Sequence, residues 1–199
     1  MNNNNDNTIL TPKEFSQVLN LESEGNGSFA ASEWSKAEES YTKAIAIFES
    51  KICVTYAGDE RTMLVQLLAN LSRVFIQKRA FIDAEAFASK CLYLCPGHEQ
   101  ASYQRAKARL EISRSKSTGD ATRIGWAIED AKNCQDGSDK TQLEEQLQHE
   151  ASRIEKYEQK QLFMGFGSYA TIGGNHSNES TTVVGETADC RTNEVGYVK

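Results

Sequence analysis

Only two prolines, Pro12 and Pro96, occur in 199 residues. Proline breaks helix interiors, so its scarcity leaves room for long uninterrupted helices. Basic residues are in deficit: 22 Lys and Arg against 28 Asp and Glu give a net charge of −6. Nucleic acid and anionic membrane surfaces both recruit a basic footprint, so neither is an expected partner. No apolar run approaches the roughly 20 residues that span a bilayer. The opening MNNNNDNTIL lacks the basic residues and apolar stretch of a secretory leader. Five cysteines (Cys53, Cys91, Cys95, Cys134, Cys190) make an odd number without framework spacing. A reduced compartment, cytoplasm or nucleus, is therefore expected.

Strand-like alternation is missing as well, and helical periodicity takes its place. Residues 1–10 form an asparagine-rich leader. TPKEF then gives a helix start, with Thr11 as N-cap, Pro12 at the first helical position and Glu14 completing a capping box. Ala37, Tyr41, Ala44, Ile45 and Phe48 keep helical spacing, as do Met63, Leu64, Leu67, Leu68, Leu71, Val74 and Phe75. Phe81, Ala84, Ala88, Cys91 and Leu92 define another run, stopped by Pro96-Gly97. Residues 99–115 and 121–134 form a further pair, and Leu143, Leu147, Ala151, Ile154 and Tyr157 mark a long final helix. From Gly165 onward the chain is rich in Gly, Ser, Thr and Asn and has little apolar mass, the composition of a flexible tail.

The helix pairs are alike. Gly25 is followed twelve residues later by Ala37, and Ser72 twelve residues later by Ala84. Small residues at matched heights let two helices approach closely, the packing of a 34-residue helical hairpin repeat. EGNGSFAASEWSKAEESYTKAI, LLANLSRVFIQKRAFIDAEAFASKCLYLCP and QASYQRAKARLEI resemble three successive tetratricopeptide (TPR) repeats. The resemblance covers roughly residues 19–164 and implies an all-α fold, an α-α superhelix of three TPR hairpins plus a C-terminal capping helix. The expected division is thus 1–10 disordered leader, 11–164 TPR domain and 165–199 flexible tail. Ser72 comes 47 positions after Gly25, more than one repeat length, and the excess is expected to prolong the second helix and its loop around FESKICVTYAGDER. Gly27 has no place in the pattern. The finer likeness is to the TPR region of large FKBP-type immunophilins and related chaperone cofactors, without the isomerase domain.

That likeness implies a peptide-binding groove lined by the first helix of each hairpin. Chaperone cofactors of this kind hold the carboxylate chain end of heat-shock chaperones with Lys and Asn from the first repeat, Asn from the second, and Lys and Arg from the third. Asn26 and Asn70 match the two asparagines. Glu22 falls on the first Lys, and Gln100 and Gln104 on the later Lys and Arg. Arg105 is one residue off, about 100° around the helix. Arg73 and Lys107, a turn further along their helices, are candidates for relocated positive charge. The expected peptide-binding set is Asn26, Asn70, Arg73, Gln100, Gln104 and Lys107. The implied role is a non-catalytic co-chaperone-like adaptor with a degenerate clamp. The alternative is a scaffold or assembly subunit that binds an internal segment of a partner.

Other motifs have plainer readings. Cys91, Cys95 and His98 share metal-like spacing, but no fourth ligand is in view and Cys91 occupies a core position. The three histidines are scattered without nucleophile partners, so no catalytic residue, metal or cofactor is expected. GFGSYATIGG lacks the strand and the lysine of a phosphate loop. Phe163, Met164 and Phe166 are expected to pack onto the third repeat.

Overall fold

The computed structural model describes residues 10–51, 58–134 and 136–170, with side chains to residue 164. Among these residues every regular element is an α-helix: α1 (Pro12–Ala30), α2 (Trp34–Glu49), α3 (Gly58–Gln77), α4 (Phe81–Leu94), α5 (Glu99–Arg114), α6 (Ala121–Lys132) and α7 (Ser138–Ala170). The chain divides into two units, Met1–Gln161 and Leu162–Lys199.

The helix starts follow local chemistry. Thr11 Oγ1 accepts from Glu14 N at 3.3 Å while Glu14 Oε2 accepts from Thr11 N at 2.8 Å, completing the capping box. His98 Nδ1 caps α5 by accepting from Ala101 N, and Asp120 caps α6 by accepting from Arg123 N. No side-chain oxygen caps α2 or α4. Each of these follows a tight turn with a left-handed residue, Ser32 (φ 61°) or Arg79 (φ 60°). These two residues are themselves 47 positions apart, the interval between Gly25 and Ser72. The turn and the contact point are therefore repeated together.

In the second hairpin the twelve-residue contact is direct: Ser72 Oγ donates to Ala84 O at 2.9 Å, and both residues are fully buried. In the first hairpin the close approach is seen at Tyr41, one turn beyond Ala37: a Cβ on Gly25 would lie 2.5 Å from Tyr41 Cε1. Gly27 has nothing within 4 Å of its missing Cβ. In the third hairpin Ala106, 34 positions after Ser72, is again fully buried.

One core joins the first two hairpins through Tyr41, Phe48, Leu67, Leu71 and Val74. A second gathers Leu110, Ile124 and Ala127 with Leu143, Leu147 and Ile154 of α7. Sequential hairpins sharing faces with their neighbours are the arrangement of a repeat stack.

Two expectations need correction. The extra length after the first hairpin does not prolong its second helix, because α2 stops at Glu49; instead α3 begins early, at Gly58. The leader's last residue is anchored: Leu10 is buried and its N–H donates to Glu60 Oε1 at 2.7 Å. Phe163 and Met164 belong to the second unit, α7 runs on to Ala170, and the Phe166 side chain lies outside the described residues. The remaining tail and residues 1–9 lie outside the described residues.

Candidate functional site

The expected site residues sit on α1, α3 and α5, the first helices of the three hairpins. Helix α1 packs on α2, α2 on α3, and α3 touches both α4 and α5. The side chains that follow the small contact residues are Asn26, Arg73 and Lys107, one per hairpin. Helical geometry therefore presents the three at equivalent places on their helices.

The first two hairpins bring a polar cluster together. Tyr41, almost wholly buried, donates its hydroxyl to Asn26 Oδ1 at 2.6 Å, and Asn70 Nδ2 donates to the same oxygen at 3.4 Å. Asn26 Oδ1 thus accepts two hydrogen bonds, and Asn70 keeps its carbonyl oxygen without a partner among the described residues. Burial pushes the Tyr41 phenol up to about 12. The nearby Glu22 charge adds to that rise and the Arg73 charge opposes it, so both ionic groups lie close to the Tyr41 hydroxyl.

Arg73 is exposed and lies 4.3 Å over the Phe29 ring, which is itself edge-on to Trp34 at 4.9 Å. No ion pair or hydrogen bond holds the guanidinium among the described residues. A guanidinium held over an aromatic ring can keep its N–H donors available, and such a fork matches a carboxylate in bidentate fashion. Glu22, on the family's first lysine position, is half-buried, and loss of hydration raises its carboxyl above the ordinary range.

The third hairpin is different. Arg105 does not reach the face at all. Its Nε and Nη2 grip Asp130 of α6 at 2.9 and 2.6 Å. Arg109 donates to the same carboxylate at 2.8 Å and to Glu85 of α4 at 2.8 Å, and Arg123 also pairs with Glu85. Asp130 is only 5% exposed along its side chain, so these cations are committed to joining α4, α5 and α6. Lys107 lies 5.8 Å over the Tyr103 ring with no ion-pair partner among the described residues. Gln100 is exposed and lines a cavity of about 340 Å³ with Tyr103, Asp139 and Lys140. Gln104 is 4% exposed, and its Oε1 is the one buried side-chain polar atom without a hydrogen-bond partner among the described residues.

The Asn26–Asn70 pairing and the open Arg73 thus form one cluster, while Gln104 and Lys107 sit on α5, the neighbouring helix. Gln100 belongs to the cavity at the start of α5. Sequence reasoning missed Tyr41 and Phe29, which orient Asn26 and Arg73. It also missed the fate of Arg105. The available signal was Arg105 and Arg109 at i and i+4, one face of a helix able to grip a single carboxylate.

No group of three or more His, Cys, Asp or Glu able to hold a metal ion occurs among the described residues. Cys91 is a core residue whose thiol is pushed up to about 12, chiefly by burial, and His98 serves as a helix cap. No helix among the described residues is long and apolar enough to cross a membrane.

Solved structures place the fold. The C-terminal TPR-containing domain of a proposed FK506-binding protein from Plasmodium falciparum superposes with a TM-score of 0.61 at 17% identity. The match covers 72% of this chain and 93% of that one. The Arabidopsis OM64 TPR domain gives 0.54 at 17% identity, over 68% and 98% of the two chains. No family model matches the sequence, and no curated protein matches it. The fold is an all-α superhelical repeat of the TPR type, as the hairpin contacts imply.

Proposed function

We propose that the face formed by α1, α3 and α5 binds an extended peptide segment of a partner protein and anchors one of its carboxylates on Arg73, Asn26 and Asn70. The protein is then a non-catalytic interaction module, with a co-chaperone-like adaptor as the first reading. The supporting observation is the exposed Arg73 guanidinium, 4.3 Å over the Phe29 ring and without an ion pair among the described residues, together with the Asn26 amide whose oxygen is held by Tyr41. A charge-assisted bond to such a group contributes about 1.5–3 kcal/mol.

Titration calorimetry of the full chain with an octapeptide bearing a heat-shock chaperone C-terminus tests this reading. Binding below millimolar is expected, weakened at least tenfold by Arg73→Met, which keeps the stem on Phe29 but removes the charge. No heat up to millimolar peptide would remove the chaperone reading.

A second reading, a scaffold subunit that binds an internal segment, is favoured by the third hairpin. Arg105, Arg109 and Arg123 are all engaged by Asp130 and Glu85, and glutamines occupy the places where two further cations would meet a doubly charged chain end. An internal acidic residue needs one anchor only. The same octapeptide with an amidated C-terminus separates the two readings: unchanged affinity supports the internal segment, and a loss supports the chain end.

A further inference from the structure

The turns of the first two hairpins each leave a notch against the end of the helix that follows. The first notch, of about 480 Å³, is lined by residues 32–36 and by Lys78 at the end of α3. The second, of about 280 Å³, is lined by residues 79–83 and by Ile112 and Ser115 at the end of α5. Positions 79–83 come 47 after positions 32–36, the interval that separates the left-handed residues Ser32 and Arg79. The two notches are therefore one feature of the repeat, filled with different side chains.

In the first notch the cations are matched from within: Lys36 pairs with Glu33 at 2.9 Å, and Lys78 pairs with Glu38. The second notch is not closed in this way. Ile82 stands where the first hairpin has Ser35, and it is 74% exposed. Arg79 takes the place of Ser32 and Asp83 that of Lys36. Both are exposed, and neither side chain has a hydrogen bond or an ion pair among the described residues. Arg79 is moreover held at φ 60°, a conformation that suits glycine, asparagine or aspartate better. The fold does not demand these choices, because the first hairpin makes the same turn without them. An exposed apolar side chain rimmed by open charges, one of them an arginine, is the composition of a contact surface.

The patch is also complementary to itself. A protruding Ile82 adjoins a hollow walled by Ala80, Phe81 and Ile112, and an open cation precedes an open anion by four positions. A surface with both knob and hole, and both signs of charge, fits its own copy turned about a twofold axis. We propose that the turn between α3 and α4 is a self-association surface on which a second copy of this chain docks, Ile82 of each copy entering the hollow of the other and Arg79 of each facing Asp83 of the other. The chain carries a net charge of −6, but charges more than about 8 Å apart are largely screened at physiological salt, so the facing pairs decide. This surface uses none of Asn26, Asn70 and Arg73 and goes beyond the peptide-binding reading.

Sedimentation equilibrium of the full chain, over a loading series up to millimolar, tests the proposal. The natural chain should pass reversibly from monomer to dimer. Ile82→Asp should remain monomeric throughout, and Ser35→Asp, at the equivalent place in the first hairpin, should associate like the natural chain. Arg79→Asp and Asp83→Arg should each weaken association at least tenfold, because each sets like charges opposite one another twice. Mixing these two variants in equal amounts should restore association, since every facing pair in the mixed dimer then has opposite signs. Aspartate tolerates the left-handed region, so Arg79→Asp keeps the turn.

A natural chain that stays monomeric to millimolar would overturn the assignment, even if another protein were found to dock at this turn. So would a dimer that survives Ile82→Asp, or a mixture that associates no better than its components. The mixing experiment decides the matter even if Ile82→Asp does not fold.

Discussion

Gly25 and Gly27 lie two residues apart in one helix, yet alanine at each should act in opposite directions. At Gly27 nothing approaches the missing Cβ. Alanine there gains helix propensity and should stabilise the chain by about 0.5–1 kcal/mol. At Gly25 the new methyl would lie 2.5, 2.8 and 2.9 Å from three carbons of the Tyr41 ring. Ordinary carbon contacts are about 3.5–4 Å, so the ring must move by about 1 Å. Tyr41 is 1% exposed and tied through its hydroxyl to Asn26, so the ring has little freedom to do so. Overpacking of this kind costs about 1–3 kcal/mol, and straining the hydroxyl bond adds about 1. After the propensity gain is subtracted, Gly25→Ala should destabilise by about 1–3.5 kcal/mol. Thermal melts should therefore separate the two variants by about 3–18 °C, at roughly 2–4 °C per kcal/mol for a chain of this size. Urea unfolding at unchanged slope would show that stability alone has moved. If Gly25→Ala proves as stable as Gly27→Ala, the close approach of α1 to α2 at Tyr41 is not what holds the hairpin, and the orientation of Asn26 by Tyr41 loses its basis.

Asp130→Ala should destabilise by about 3 kcal/mol in chemical denaturation, because it removes a nearly buried carboxylate shared by Arg105 and Arg109 and leaves Arg105 without its partner, while Arg109 keeps Glu85; an effect under about 1 kcal/mol would show that the network does not join α5 to α6. Acid should unfold the protein through two carboxylates. Glu14 is held at about 2, chiefly by its hydrogen bond from Lys51 and then by Thr11, and Glu150 is lowered chiefly by Arg153. Both groups are lowered from the ordinary 4.5, so their contribution is complete above about pH 4.5 and is lost as the pH falls through the folded-state values, about 2 for Glu14. Melting temperature should be level from neutral pH to about 5 and then fall, with a shallower fall in Glu150→Gln; an equally steep fall in that variant would remove Glu150 from the account.

Much of the fold was legible because the determinants are local. The Thr11–Glu14 capping box, the Pro96-Gly97 stop and the helical spacing of Leu64 to Phe75 act within a turn or two, and each helix appears where its spacing places it. The repeat was legible through Ser72 and Ala84, whose contact is a hydrogen bond. What was not legible depends on side chains from distant elements. Tyr41 reads as an ordinary core aromatic, and only the hairpin reveals that its ring fills the space beside Gly25 and its hydroxyl orients Asn26. Arg105 looks like a near-miss for a groove cation, but Asp130 lies 25 positions away and captures it only once α6 folds back. The early start of α3 was hidden because YAGDER carries turn-forming residues, yet Gly58, Asp59 and Glu60 are helical, with Glu60 drawn inward to accept from Leu10.

Amide chemical-shift mapping of the full chain during titration with an acidic peptide probes the binding face most directly. Saturable shifts should cluster at Asn26, Asn70, Arg73, Gln104 and Lys107 on α1, α3 and α5, with α2, α4 and the outer side of α6 unmoved. Shifts confined to those outer helices, or to the cavity beside Gln100 and Lys140, would place the ligand elsewhere and contradict the assignment of this face.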